Sequence, residues 1–256
     1  LLFSESLKPN PATHFKFAPD DSCVTFLTKN ATNPNELSIW RFDLDKHTTQ
    51  EWLCAPAENS PTSESQFEKD ERERKRQFTS GINDYYWHPS GSAMIVPTNG
   101  SVYSVDITTP DLPKWKLLSQ ENGISAVKLS PHGSFISFVR DNNLYFQAIS
   151  EKSGIPITQD EDPLIINGLP DFLAAEEMHR FEGHWWSDDE NHIAFCRVDE
   201  SPVHVSYRLE INAEATAQVA QRYPFAGESN PITQLVLYNL KTKTSKEIWS
   251  SQVSDD

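Results

Sequence analysis

Positive charge is scarce in this chain: 22 Lys and Arg stand against 37 Asp and Glu over 256 residues, a net charge of −15. A surface that holds nucleic-acid phosphates needs clustered positive charge, so the balance excludes nucleic acid as an expected partner. No apolar run approaches the roughly 20 residues of a membrane-crossing helix, so no membrane span is expected. Only three cysteines occur, Cys23, Cys54 and Cys196, and they show no Cys-x-x-Cys spacing. That argues against a disulfide scaffold or a zinc ribbon, and they read as small apolar residues in or near strands. The eight histidines form no His-Glu-x-x-His or His-x-His arrangement, so no metal site is expected. With no phosphate-binding glycine loop, no cofactor is expected either. The opening Leu1-Leu2-Phe3-Ser4-Glu5 lacks the basic start and long apolar core of a secretory signal, which leaves the compartment open between periplasm and cytoplasm.

What is present is aromatic: 11% of the residues are Phe, Trp or Tyr, too many for a disordered chain. The length permits one large all-β or α/β domain or two ordinary ones. Self-similarity decides between these. Phe17-Ala18-Pro19-Asp20-Asp21-Ser22 leads into Val24 and Phe26, and Trp87-His88-Pro89-Ser90-Gly91-Ser92 into Met94 and Val96. Leu129-Ser130-Pro131-His132-Gly133-Ser134 leads into Ile136 and Phe138, and Trp186-Ser187-Asp188-Asp189-Glu190-Asn191 into Ile193 and Phe195. Each is a large apolar residue, a tight turn, then apolar residues on alternate positions, the pattern of a β-hairpin. A further aromatic strand follows: Ile39–Asp43, Val102–Asp106, Leu144–Phe146 and Leu237–Leu240. Repeated units of this kind are the layout of propeller blades, which fixes architecture and not chemistry.

Three insertions interrupt the repeat. The first, from about 54 to 80, ends in Gln66-Phe67-Glu68-Lys69-Asp70-Glu71-Arg72-Glu73-Arg74-Lys75-Arg76, read as a short helix whose acidic start and basic end suit the helix dipole. The second, roughly 150 to 185, contains Asp171-Phe172-Leu173-Ala174-Ala175-Glu176-Glu177-Met178-His179-Arg180, where Asp171 can cap a helix. Neighbouring helical residues point about 100° apart, so Glu176 and Glu177 converge only on a group lying between them. A primary ammonium, compact and with three donors, fits that geometry. The third insertion splits the fourth repeat: Trp186 to Tyr238 spans 52 positions, whereas Trp87 to Tyr103 spans 16. It holds the alternating segment Val203–Ile211 and then Arg222–Gly227. It reads as a dimerisation arm carrying Val203, Val205, Tyr207, Leu209 and Tyr223, or else as a ribbon folded back on its own propeller.

The acidic pair in Ala175–Arg180, the run Gly183-His184-Trp185-Trp186-Ser187, the segment Ile193–Val203 with its Asp199-Glu200-Ser201-Pro202, and Arg222-Tyr223-Pro224-Phe225-Ala226-Gly227 together resemble the N-terminal propeller of the dipeptidyl peptidase IV family. This is a branch of the prolyl oligopeptidase family of serine peptidases, and the resemblance runs from about Glu68 onward. It implies that Glu176 and Glu177 bind the free α-amino group of a peptide substrate and so measure two residues to the scissile bond. It implies that Arg76, with Arg74 as the alternative half a turn away, contacts the carbonyl after the first residue.

The expected fold is therefore all-β: propeller blades, about half of an eight-bladed propeller, with short helical insertions. Residues 1–256 are expected to form a partial N-terminal propeller domain. No Gly-x-Ser-x-Gly elbow occurs, so no catalytic residue is assigned here and the α/β-hydrolase domain is expected outside this chain. The expected function is recognition of the N-terminus and gating of substrate in a serine dipeptidyl aminopeptidase that releases Xaa-Pro or Xaa-Ala dipeptides. Its partners would be peptides with a free N-terminus and a second copy bound through the 203–223 arm. The rival reading is a non-catalytic propeller scaffold, either an inactive homologue or a free-standing binding module.

Overall fold

A computed structural model describes residues 12–56, 80–98, 100–120, 123–211 and 216–252. The chain divides into two compact units, one of residues 1–137 with 147–154 and the other of 138–146 with 155–256.

The first sheet is an antiparallel meander of β1 (Thr13–Phe17), β2 (Cys23–Lys29), β3 (Glu36–Asp43) and β4 (Thr48–Leu53), with β5 (Ser80–Gly81) running parallel to β3. The second is β6 (Tyr86–Trp87), β7 (Ala93–Thr98), β8 (Ser101–Asp106) and β9 (Lys114–Gln120). Alternation along β2, β3, β7 and β8 gives one apolar core of Leu27, Ile39, Leu53, Ile82, Tyr85, Met94, Val96, Val105 and Ile107, with Trp52, Trp87 and Trp115 packed against it. Tyr85 is fully buried, and its hydroxyl stays satisfied by donating to the carbonyl of His14 at 2.6 Å. Burial pushes that phenol well above its ordinary range.

The third sheet is β10 (Ser125–Leu129), β11 (Phe135–Arg140), β12 (Asn143–Ala148) and β13 (Ile155–Pro156). The fourth contains β14 (Ile165–Asn167), β15 (His184–Trp186), β16 (His192–Asp199), β19 (Ile232–Asn239) and β20 (Thr244–Ser250). Between β14 and β15 lies helix α1 (Phe172–Glu176), and between β16 and β19 lies a separate ribbon of β17 (Val205–Ile211) and β18 (Thr216–Arg222).

The four repeated turns are the same object in atomic detail. In each, the first turn residue donates its N–H to a carbonyl five positions on: Ala18 to Cys23, His88 to Ala93, Ser130 to Phe135, and Ser187 to His192, all at 2.9–3.0 Å. Three positions on, Asp21, Gly91, Gly133 and Glu190 donate back to Ala18, His88, Ser130 and Ser187. All four of these residues take a left-handed backbone, with φ of 57°, 70°, 79° and 56°. Each sheet is then closed by one further bond, Leu44 to Ser22, Ile107 to Ser92, Ile149 to Ser134, and Leu240 to Asn191. Proline at the second position of three of these turns, Pro19, Pro89 and Pro131, supplies a fixed φ suited to the turn, Asp188 stands there in the last, and glycine is the residue best suited to the fourth position. These are propeller blades, and the fold is the expected all-β partial propeller.

Two expectations need adjusting. Each blade has a fourth strand (β4, β9, β13, β20) that the repeat does not announce, because edge strands such as Thr48–Leu53, exposed over its first three residues, and Thr244–Ser250, exposed over nearly all of its length, are mostly polar and show no apolar alternation. The stretch from about 150 to 185 is not one insertion. Ile155–Pro156 completes the third sheet and Ile165–Asn167 joins the fourth, leaving 168–183 as the inserted loop.

Candidate functional site

The loop from Gly168 to Gly183 splits the leading strand of the fourth blade. Its two halves hang on one partner: β14 pairs with the far end of β16 (Ile165↔Asp199, Asn167↔Arg197), and β15 with the near end (His184↔Phe195, Trp186↔Ile193). Cys196 lies between and closes the loop through its peptide. It accepts from the Gly168 N–H at 2.9 Å and donates to the Gly183 carbonyl at 2.8 Å. The neck is tight enough to require glycine: a Cβ on Gly183 would stand 2.3 Å from the carbonyl carbon of Leu169. The buried His184 ring sits beneath, its Nδ1 2.9 Å from the Gly168 carbonyl. A carbonyl only accepts, so Nδ1 carries the proton there.

Within the loop, Asp171 is the cap that its position before Phe172-Leu173-Ala174 predicts. Its Oδ1 accepts from the Ala174 N–H at 3.0 Å. Ala174 and Ala175 are buried, which turns the following residues outward: Glu176 is half-buried and Glu177 exposed. The Glu177 N–H caps the C-terminus on Leu173, and His179, with φ of 53°, reverses the chain. Neither glutamate carboxylate has a hydrogen bond or ion pair among the described residues. The nearby guanidinium of Arg180 is turned instead to Asp171 at 3.6 Å and to the Glu182 carbonyl at 2.7 Å. Two adjacent uncompensated carboxylates at a loop tip suit a compact cation with several donors. Burial raises the Cys196 thiol above its ordinary value, so this sulfur is a packing group and not a reactive thiolate.

Arg76 and Arg74, with the helix expected to carry them, lie outside the described residues. Where the chain is described again it is firmly anchored, since Ile82 and Tyr85 are both fully buried.

The ribbon pairs only with itself among the described strands, Val205↔Arg222 through Ile211↔Thr216. Alternation sets Val205, Tyr207 and Leu209 on one face, and Tyr207 and Leu209 are 65% and 67% exposed. Val203 is buried at the ribbon base and is not on that face. It lines a small cleft with Phe172, Leu173 and Arg222. Tyr223 is half-buried and meets Phe172 edge-on at 5.6 Å, which fastens the ribbon base to α1.

Gly183, Arg180 and Tyr223 lie in segments that carry the family resemblance, but nothing in the sequence shows that they shape this loop, and Tyr223 is expected there only as part of the arm. Only a charge pairing between Asp171 and Arg180 across the glutamates could have hinted at the clamp, and no helix spacing rule links residues nine apart.

Comparison with known proteins identifies the family and the fold. The family model for the dipeptidyl peptidase IV (DPP IV) N-terminal region matches residues 89–256. A probable dipeptidyl-aminopeptidase B of Pyrenophora teres f. teres is 31% identical over 185 residues, covering 66% of this chain and 19% of that protein. Dipeptidyl aminopeptidase B of Saccharomyces cerevisiae is 32% identical over 130 residues, covering 48% of this chain and 16% of its own length. The crystal structure of Porphyromonas gingivalis dipeptidyl peptidase 4 shares the fold with a TM-score of 0.66 and 23% identity, over 95% of this chain and 33% of that one. The chain thus spans under a fifth of these curated relatives, and with the family model matching well over half of its residues it belongs to the dipeptidyl peptidase IV N-terminal region family.

Proposed function

We propose that this chain is the N-terminus-recognising, substrate-gating propeller region of a serine dipeptidyl aminopeptidase. The observation that carries the reading is the pair of uncompensated carboxylates, Glu176 and Glu177, at the tip of a loop held shut at its neck. In this reading the two glutamates hold the α-ammonium of a peptide, and Arg76 (or Arg74) holds the carbonyl after the first residue. The amine fixed there sets the reading frame, so cleavage falls after the second residue and Xaa-Pro or Xaa-Ala leaves. The bond itself is broken on a separate α/β-hydrolase domain, where a serine is acylated and water then releases the dipeptide. A second copy docks through the ribbon face of Val205, Tyr207 and Leu209. The names of the relatives, dipeptidyl-aminopeptidases from several fungi, support the reaction class.

The test is Glu176→Gln and Glu177→Gln in the full-length protein, assayed on an Xaa-Pro p-nitroanilide. A charge-assisted bond to an ammonium contributes about 1.5–3 kcal/mol, so each change should lower kcat/KM roughly 10- to 150-fold. Values within twofold of the parent would remove the amine role. A full-length protein with no peptidase activity at all would favour the scaffold reading.

A further inference from the structure

We propose that Arg180 is a positioning residue for Glu176 and Glu177, locking the loop that carries them and keeping its own charge off them; this rests on the amine-binding reading above. Helix α1 has five residues, far below the roughly 12–15 at which a helix holds itself in water, so its orientation must come from its ties. Arg180 supplies several of them. Its backbone N–H reaches the Ala174 carbonyl at 2.8 Å, back across the acidic pair. One guanidinium nitrogen donates to the Glu182 carbonyl at 2.7 Å and lies 3.8 Å from the Cys196 sulfur, which joins the loop to strand β16. The other faces Asp171 Oδ2 at 3.6 Å, while Asp171 Oδ1 holds the first turn through Ala174. A single acid–base pair therefore ties the residue before the helix to the residue after the reversal, with both glutamates between.

The arrangement also has an electrostatic consequence. Arg180 is the cation nearest in sequence to the pair, only three positions from Glu177. Were its guanidinium free, it would compete with a substrate ammonium for the same carboxylates. Asp171 and the Glu182 carbonyl engage it instead, which leaves both carboxylates open to a ligand.

The test compares two product-like ligands on the full-length protein: a dipeptide with a free N-terminus, and its desamino counterpart lacking only the amine. In Arg180→Ala, dipeptide binding should weaken about tenfold while the desamino ligand binds as before. Arg180→Lys, which keeps the charge without the forked reach, should recover part of the loss and serves as the comparison if the alanine variant does not fold. In a Glu176→Gln, Glu177→Gln background, Arg180→Ala should add nothing to the dipeptide defect. Equal weakening of both ligands, or an additive defect in that background, overturns the positioning role, because only general loop damage would explain it. If the glutamate variants themselves bind the two ligands with unchanged preference, the amine reading falls instead.

Discussion

At the residue scale, the blade turns provide a controlled experiment in backbone strain. Gly91 and Gly133 occupy the same turn position with φ of 70° and 79°, so an alanine at either bears the same left-handed cost of about 1–2 kcal/mol. Their surroundings differ. Beyond Gly91 the nearest atom to a new Cβ is a proline carbon at 3.8 Å, whereas at Gly133 it is His88 Nε2 at 2.3 Å. That ring cannot swing away freely, because its Nδ1 is held 2.8 Å from Ser90 Oγ. Gly133→Ala should therefore cost about 1–3 kcal/mol more than Gly91→Ala in thermal or denaturant unfolding, the range for forced overpacking. Adding His88→Ala should erase the difference. Equal destabilisation by the two alanines would mean that the ring yields at no cost. The other two turns place Asp21 and Glu190 at this position, and the aspartate is the better tolerated of the two, since its short side chain bonds locally.

At the scale of elements, the loop depends on its neck. Gly183→Ala drives a methyl into the Leu169 backbone, which has nowhere to retreat while Gly168 and Gly183 both bond the Cys196 peptide. Loss of those bonds should free α1 without melting the blade. The expected result is faster hydrogen exchange at Gly168 and Cys196, with exchange in the β16–β19 pairing unchanged, and weaker binding of the free-amine dipeptide. Unchanged protection at Cys196 would show that the neck tolerates the methyl. The elements also show what the amino-acid pattern could reveal. Hairpins were legible because an apolar residue, a Pro/Asp/Gly turn and strict alternation all agree. Asp171 was legible as a cap for the same local reason. The polar edge strands were not, and neither were two- and three-residue strands such as Ile155–Pro156, which are too short to show a period. The clamp on the acidic pair was invisible because Gly183 meets Leu169, and Tyr223 meets Phe172, only after the chain has folded.

For the molecule as a whole, the propeller identity rests on four copies of one hydrogen-bond frame, whereas the proposed pairing of two copies rests on a single ribbon. A ribbon with Tyr207 and Leu209 both about two-thirds exposed presents apolar area that isolated soluble chains usually cover. The full-length protein should sediment as a dimer, and Tyr207→Asp with Leu209→Asp should convert it to a monomer. Burying two carboxylates in an apolar contact costs several kcal/mol at each of two symmetry-related patches. A variant that still sediments as a dimer would move the interface elsewhere, with the ribbon left to fold back on its own chain.

The split of one blade strand into β14 and β15 has a further consequence. Both stubs keep their pairing to the same neighbour whatever lies between them, so blade integrity and loop content are separable properties. Evolution can rewrite what the segment offers to a ligand, in length and in chemistry, while the blade's mechanical frame stays untouched. An engineer could exchange it as a cassette, cutting just inside the two glycines.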